Sequence, residues 1–433
     1  MHIDPNAPQR DTYLHGKGPA WFAFFMTMAL MMFDYIDRQV IVSLFPHIKA
    51  AWGLSDTQLG ALVSVVSVTV ALGALPIALL ADRASRVKSI VVMATAWSLA
   101  TISCMFTRNY SQLLVARAMV GVGEAGYGSV GAALIASHFP SRMRGALMAG
   151  FFAMASVGSV LGVVLGGMIA TRWGWQAAFG VVGLPGLALA LLYLKVRDYP
   201  TVKLDSQREQ AASTVGSAAV FAAKAVFRSR TILWACAGSA AQLIVVSSIW
   251  SWMPSFLNRI HGMPADQAAI KAAMVVLCGA LGSVVWGMAA DRVGARSPRG
   301  KLWFLSFVCL LSMVVLSLAF RAEALHLALT PQTQFALVAF GGFLMTCTVG
   351  PVSAIVMNVI HPGVRATGSS VLSIFQNLFG LALGPVIAGT LSDAWGITSA
   401  LAVMPLFSVL AAAAFVRASG SYESDMKSVE ETL

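Results

Sequence analysis

Charge is what this sequence has little of. Only 11% of its 433 residues are charged, whereas 58% are hydrophobic, and the mean hydropathy is +0.77. A water-soluble chain of this length cannot cover itself with so few charges. Material for metal or redox chemistry is equally scarce. The five cysteines (Cys104, Cys236, Cys278, Cys309, Cys347) lie singly in apolar stretches with no CxxC pair, and read as small buried hydrophobes. The seven histidines (His2, His15, His47, His138, His261, His326, His361) fall in tails, loops or the ends of apolar runs. No cluster of metal-ligating residues results. GxSxG, Walker A and HExxH motifs are missing too. The reading is therefore no enzyme and no catalytic residue, no metal, no cofactor and no ATP-driven machine.

Apolar length is what the chain has in abundance. Runs of about twenty residues, enough to cross roughly 30 Å of hydrocarbon, occur near 20–45, 57–80, 89–107, 111–136, 146–170, 176–196, 231–257, 268–290, 302–321, 334–360, 367–391 and 397–417. They predict an all-α membrane protein of twelve transmembrane helices, with no cleavable signal ahead of the first. The net charge of +11 reflects topology. Of the 29 Lys and Arg, 21 lie on the side of the two tails. Six lie on the other side (Lys49, Arg108, Arg172, Arg259, Lys271, Arg321), and Arg38 and Arg117 fall inside spans. The bias puts both termini in the cytoplasm and points to contact with anionic membrane lipid, not nucleic acid. A bacterial inner membrane is the expected location.

One long polar segment, 198–230, divides the chain into an N-terminal six-helix bundle (1–197) and a C-terminal six-helix bundle with a tail (231–433). It suits a cytoplasmic linker, partly helical along the membrane surface. The halves echo each other. "LLADRASRVK" (Leu79–Lys88) follows the second span and "MAADRVGAR" (Met288–Arg296) the eighth, with their Asp-Arg pairs 209 residues apart. "PSRMRGA" (Pro140–Ala146) and "HPGVRATG" (His361–Gly368) form a second matching pair. Two repeats of six spans are a transporter signature, with the substrate expected at their interface near mid-membrane.

These loops and spans resemble the major facilitator superfamily over essentially the whole chain. Within it, "DRQVIVSLFPHIKAAWGLSDTQLGAL" (Asp37–Leu62) and "RAMVGVGEAGYG" (Arg117–Gly128) resemble the Spinster-like branch. The neighbouring anion:cation symporter branch also carries a first-span Asp-Arg and a fourth-span Arg with a later Glu-Ala; "GVGEA" (Gly121–Ala125) favours Spinster-like. The resemblance implies two pseudo-symmetric bundles around a cavity lined by the first and fourth helices. It also implies a monomer working by alternating access on a lysolipid-like or other amphiphilic anion. The symporter branch implies small sugar acids or organic carboxylates instead. A receptor on the same fold is the remaining alternative. From the family, Asp82, Arg83, Arg86, Lys88, Asp291, Arg292 and Arg296 are carried over as cytoplasmic gate residues. The second loop copy departs from the first after Gly294, which leaves Arg299 and Lys301 open.

Of the 18 acidic residues only Asp34, Asp37 and Glu124 lie well inside spans, and with Arg38 and Arg117 all five intramembrane charges belong to the first and fourth spans. Asp34, Asp37 and Arg38 are spaced to share one helix face. Arg117, Gly121 and Glu124 follow at i, i+4, i+7. Five charges exceed what docking two helices requires, although a structural ion-pair cluster is the competing reading. A carboxyl in a low-dielectric cavity exchanges a proton as its neighbours change, and arginine's planar fork suits a carboxylate or phosphate. Asp37 and Glu124, then Asp34, are the expected proton carriers; Arg38 and Arg117 the anion ligands. Tyr127, and across the cavity Gln242, Trp250, Asn358, Gln376 and Asn377, are the further candidate substrate contacts; for Trp250 and the neighbouring Trp252 the competing reading is the aromatic belt of the membrane interface. Glycines at 158, 162 and 166, and at 380 and 384, are expected to line an interface that rocks. Pro185-Gly186 and Gly350-Pro351 are the expected bends.

Overall fold

Away from water, a chain can satisfy its own backbone only as helix or closed barrel. The structure, a computed structural model, describes residues 13–83, 85–198, 229–321, 330–360 and 365–430. Among these, twelve helical spans are long and apolar enough to cross a membrane, and there is no strand. The first six comprise Lys17–Trp52, Asp56–Arg83, Arg86–Cys104, Tyr110–Glu124 with Tyr127–His138, Ser141–Trp173 and Trp175–Tyr193. The next three are Arg230–His261, Ala265–Arg296 and Pro298–Arg321. The tenth is Pro331–Met345 with Val349–Asn358, and the eleventh is Arg365–Phe375, a π-helical turn Gln376–Leu381 and Leu383–Trp395. The twelfth runs from Ile397 to Glu430 through a 3-10 turn at Met404–Leu406. Linker residues 199–228 lie outside the described residues. Alternating direction puts the start of the first span and the end of the twelfth on one face, the terminal face, and the loops after odd-numbered spans on the other, the far face.

Two six-helix bundles result, and their likeness reaches the backbone of the caps. Gly53 (φ 63°, ψ 29°) ends the first span and Gly262 (φ 61°, ψ 21°) the seventh, both left-handed. Gly174 (φ 84°, ψ 158°) follows the fifth span and Gly396 (φ 82°, ψ 157°) the eleventh. Such angles exclude a Cβ without strain. The fourth and tenth spans are interrupted at corresponding places, at Ala125–Gly126 and Thr346–Thr348. The expected tenth-span bend is thus a break just before Gly350-Pro351. The sixth span runs unbroken through Pro185.

The glycine stripes do not lie between the bundles. Gly158, Gly162 and Gly166 seat the fifth span on the first: a Cβ on Gly162 would lie 2.7 Å from the Ile36 carbonyl oxygen, and one on Gly166 2.6 Å from that of Val40. Gly380 and Gly384 seat the eleventh span on the seventh, against Leu243 and Ile244. Both seams are internal to a half, so the expectation of a rocking interface there is corrected. Gly162→Leu overpacks this seam and should cost about 1–3 kcal/mol, read as a lowered thermal midpoint of the purified protein. Two cysteines also depart from their scattered placement, since Cys309 and Cys347 meet across the ninth and tenth spans with sulfurs 3.8 Å apart, both as free thiols.

The bundles join along three seams: second with eleventh, fifth with eighth, and first with seventh. Close approach there again needs glycine. Gly60 and Gly389 lie against the backbone of Pro385 and Asp56, and Gly167 against Ala269. All these contacts sit toward the far face.

Candidate functional site

The first span carries Asp34 and Arg38 one turn apart, and the fourth delivers Glu124 at its last helical residue, just before the Gly126 break. The Arg38 Nε lies 2.9 Å from Glu124 Oε2 and 3.5 Å from Asp34 Oδ2. The Glu124 contact is ionic without being an aligned hydrogen bond, since neither atom has a hydrogen-bond partner. Asp34 and Glu124 are buried, whereas the Arg38 side chain keeps 18% exposure and lies over the Tyr35 ring at 5.3 Å. Phe45, seven residues on and so on the same helix face, meets Trp252 of the other half at 5.2 Å. Arg38 thus shares the helix face that carries Phe45, while its own side-chain contacts are to the N-terminal half.

Asp37 stands apart from this group. Three residues from Asp34, it is rotated by about 60° around the helix and turns to the third span, where the Thr101 hydroxyl donates to its Oδ2 (3.1 Å). The single face expected for both acids with Arg38 is thus divided in two. Arg117 is buried behind them and spends its fork on backbone: Nη1 donates to the Asp37 carbonyl (3.0 Å), Nη2 to that of Arg38 (3.5 Å) and Nε to that of Leu62 (3.4 Å). Gly121 faces Val66 and Thr69 of the second span, allowing this close approach. Asp34 Oδ1, Asp37 Oδ1 and both Glu124 oxygens accept no hydrogen bond among the described residues. Two carboxyls sharing one partly exposed guanidinium, with a third close by, is an arrangement on which a proton can come and go.

The neutral candidates are scattered. Tyr127 is buried in the N-terminal half, donating to the Thr27 carbonyl (2.7 Å) and meeting Trp97 edge to face, so it offers no surface in this conformation. Gln242 is likewise buried in its own half, donating to the Met345 carbonyl (3.0 Å). Gln376 donates to Ser239 (2.9 Å), Asn377 to the Ser373 carbonyl (2.9 Å), and Asn358 to Tyr422 near the terminal face (3.1 Å). Trp250 lies against Gly279 with its indole N–H unpartnered among the described residues. Trp252 is fully buried and donates to the Pro385 carbonyl (3.0 Å), an inter-helix contact and not a belt position.

Of the loop residues, the side chains of Asp82 and Arg83 lie outside those described. Asp291, in the last turns of the eighth span, pairs with Lys301 of its own half (2.7 Å). Arg292, Arg296 and Lys88 are exposed, Arg86 is half-buried, and Arg299 pairs with Glu423 (3.1 Å).

The polar join between the halves is at the far face, centred on a residue that sequence reasoning missed. Asp56 opens the second span and is buried. Arg259 of the seventh span holds it with both nitrogens (2.7 and 2.9 Å), Ser392 of the eleventh donates to it (2.6 Å), and Lys49 adds a second cation. Asp393, in turn, accepts from the backbone N–H of Asp56 (2.7 Å) and Thr57 (2.8 Å), so one half caps a helix of the other. The available signal was the repeated Leu-Ser-Asp at 54–56 and 391–393, together with two of the six cations on the sparsely charged side.

Twelve spans in two like halves, helices broken at matching positions and a seam locked at one face define a membrane transporter. A model of the Major Facilitator Superfamily matches residues 27–381. An MFS-type efflux pump of Mycolicibacterium smegmatis is 28% identical over 384 residues, 88% of this chain and 86% of that protein. Protein spinster homolog 3 of Homo sapiens is 27% identical over 399 residues, 87% and 76% of the two chains. A gallate transporter of Pseudomonas putida is 26% identical over 425 residues, 92% and 90%. A bacterial homolog of the human lysosomal transporter Spinster, solved in an inward-facing and unoccupied conformation, has a TM-score of 0.83 at 22% identity, covering 95% of this chain and 99% of that one. The chain belongs to the Major Facilitator Superfamily.

Proposed function

We propose that this transporter couples proton movement to the transport of an amphiphilic, lipid-like organic anion. One observation carries the reading: two buried carboxyls, Asp34 and Glu124, share one arginine, Arg38, a third, Asp37, stands on the neighbouring helix face, and four of their oxygens have no hydrogen-bond partner among the described residues. Glu124 and Asp34 share that arginine. When they are protonated, Arg38 loses its partners and a carboxylate or phosphate takes their place; Asp37, held by Thr101, is the third proton carrier. Coupling follows because the anion then binds the proton-loaded state more tightly, and linkage makes the effect mutual. Arg117, saturated by three carbonyls, serves this scheme by fixing the first span against the second and fourth, and Arg38 is the anion ligand.

The excess of Lys and Arg on the terminal face supports an orientation with both termini in the cytoplasm. The far-face lock then closes the outside, and the arrangement is inward-facing. Asp82, Asp291 and their neighbouring cations are the proposed cytoplasmic gate of the opposite state; in this one Asp291 is partnered within its own half.

A second reading, a small organic carboxylate as substrate, is favoured by the gallate transporter's match over nine-tenths of both chains. Binding separates the two. Lysophosphatidic acid and gallate are titrated against wild type and Arg38→Lys at acid and alkaline pH. Lysine keeps the charge but not the planar fork, so the variant should lose on the order of tenfold or more in affinity for the true ligand class, chiefly at acid pH. Unchanged affinity for both probes would remove Arg38 from the binding site.

A further inference from the structure

A trough runs down the outer flank of the C-terminal half between the seventh, eleventh and twelfth spans. Its inner part, a cavity of about 310 Å³, is walled by Ala237, Ala240 and Ala241 on one side and Phe375, Phe379 and Phe407 on the other, with no polar side chain. An adjoining cavity of about 400 Å³ shares Ala237 and Ala241 with it and ends at Trp234 and Arg417. Arg417 is the one charged residue lining either part. Its guanidinium lies over the Trp234 ring at 5.5 Å, and Glu423, the first acid after it on the same helix, is taken by Arg299. Arg417 therefore has a positive charge at the mouth of an apolar trough and no carboxylate partner among the described residues.

The dimensions match one molecule. From Phe407 to Arg417 the helix rises about 15 Å, half of the roughly 30 Å hydrocarbon core, so the trough spans a single leaflet, the one next to the terminal face. Alanines on the seventh span leave room for a narrow chain, while the exposed faces of Phe379 and Leu410 keep the trough open to lipid. Tryptophan with arginine at its mouth is a pairing suited to headgroup depth.

We propose that this trough is a resident site for an anionic phospholipid, with one acyl chain along the alanine wall and the headgroup phosphate on Arg417. Basic pockets between helices at the membrane surface bind acidic headgroups in this way. The site lies on the opposite half from the charged cluster, and its lipid does not depend on which substrate that cluster serves.

Native mass spectrometry of the purified full-length protein, titrated with dioleoyl-phosphatidylglycerol or dioleoyl-phosphatidylcholine, tests it. One cation near the surface contributes about 1 kcal/mol, so the first phosphatidylglycerol should bind wild type about fivefold more tightly than phosphatidylcholine. Arg417→Gln should erase that preference. Ala241→Leu, which fills the trough and leaves the charge, should weaken both lipids together. Lys195→Gln, an exposed cation on the same face of the other half, should change nothing. A wild type without headgroup preference, a preference that survives Arg417→Gln, or an equal loss in Lys195→Gln would overturn the proposal.

Discussion

Glu124→Gln abolishes concentrative transport and leaves exchange of substrate across the membrane intact. The carboxyl is buried beside Arg38, with neither oxygen hydrogen-bonded among the described residues. An amide of the same shape keeps the packing and mimics the protonated acid, so position 124 no longer competes with the anion for Arg38 in any state and only Asp34 still does. Binding and the exchange of one substrate for another survive, but the driving force no longer enters. With one proton per anion, each pH unit of gradient sustains at most about tenfold accumulation. Wild type approaches that limit in sealed proteoliposomes, while the variant holds an inside-to-outside ratio near one. Asp37→Asn has the same outcome if Asp37 carries the coupled proton, and a lesser one if Thr101 merely fixes it. A Glu124→Gln protein that still accumulates substrate along a pH gradient refutes the assignment.

Asp56→Asn opens the far face. The carboxylate is buried, and its bonds to Arg259 and Ser392 cross between the halves, whereas Lys49 belongs to its own half. Removing one member of a buried ion pair costs about 3–5 kcal/mol. Contacts that cross the halves exist only while the far face is closed, so most of that cost falls on one conformation and moves the population by about two orders of magnitude. Spin labels on Ala51 and Gln267, exposed on the far face in opposite halves, report the change as a lengthened distance distribution. An unchanged distribution shows that apolar packing at Gly60, Gly167 and Gly389 closes this face without the charges.

What could be read in advance followed from depth along each helix. Twelve apolar runs and the pairing of Arg38 with Asp34 are local properties, fixed by length and by the 3.6-residue turn. Glu124 reaches Arg38 because the first and fourth spans place these residues at matching depth. Rotation about a helix axis is not local. Asp37 sits three residues from Asp34, yet its neighbour on the third span, Thr101, draws it away from Arg38. Tyr127 and Gln242 lie at a plausible depth for a substrate site but face the interior of their own halves. Arg117 illustrates a different gap, since its partners are backbone carbonyls, which no residue pattern advertises. The far-face lock was the furthest from view: Asp56 meets residues 203 and 336 positions away, and only the closed seam brings them together.

Proton movement driven by the anion itself tests the central claim most directly. Proteoliposomes with internal pH dye and no initial pH gradient receive external lysophosphatidic acid or gallate. Wild type should produce an internal pH change on addition of the transported anion, and the double variant Asp34→Asn/Glu124→Gln, neutral at both acids that share Arg38, should take part in substrate exchange with no pH change at all. Anion transport by wild type without any proton movement, or a pH response of full size in the double variant, would contradict it.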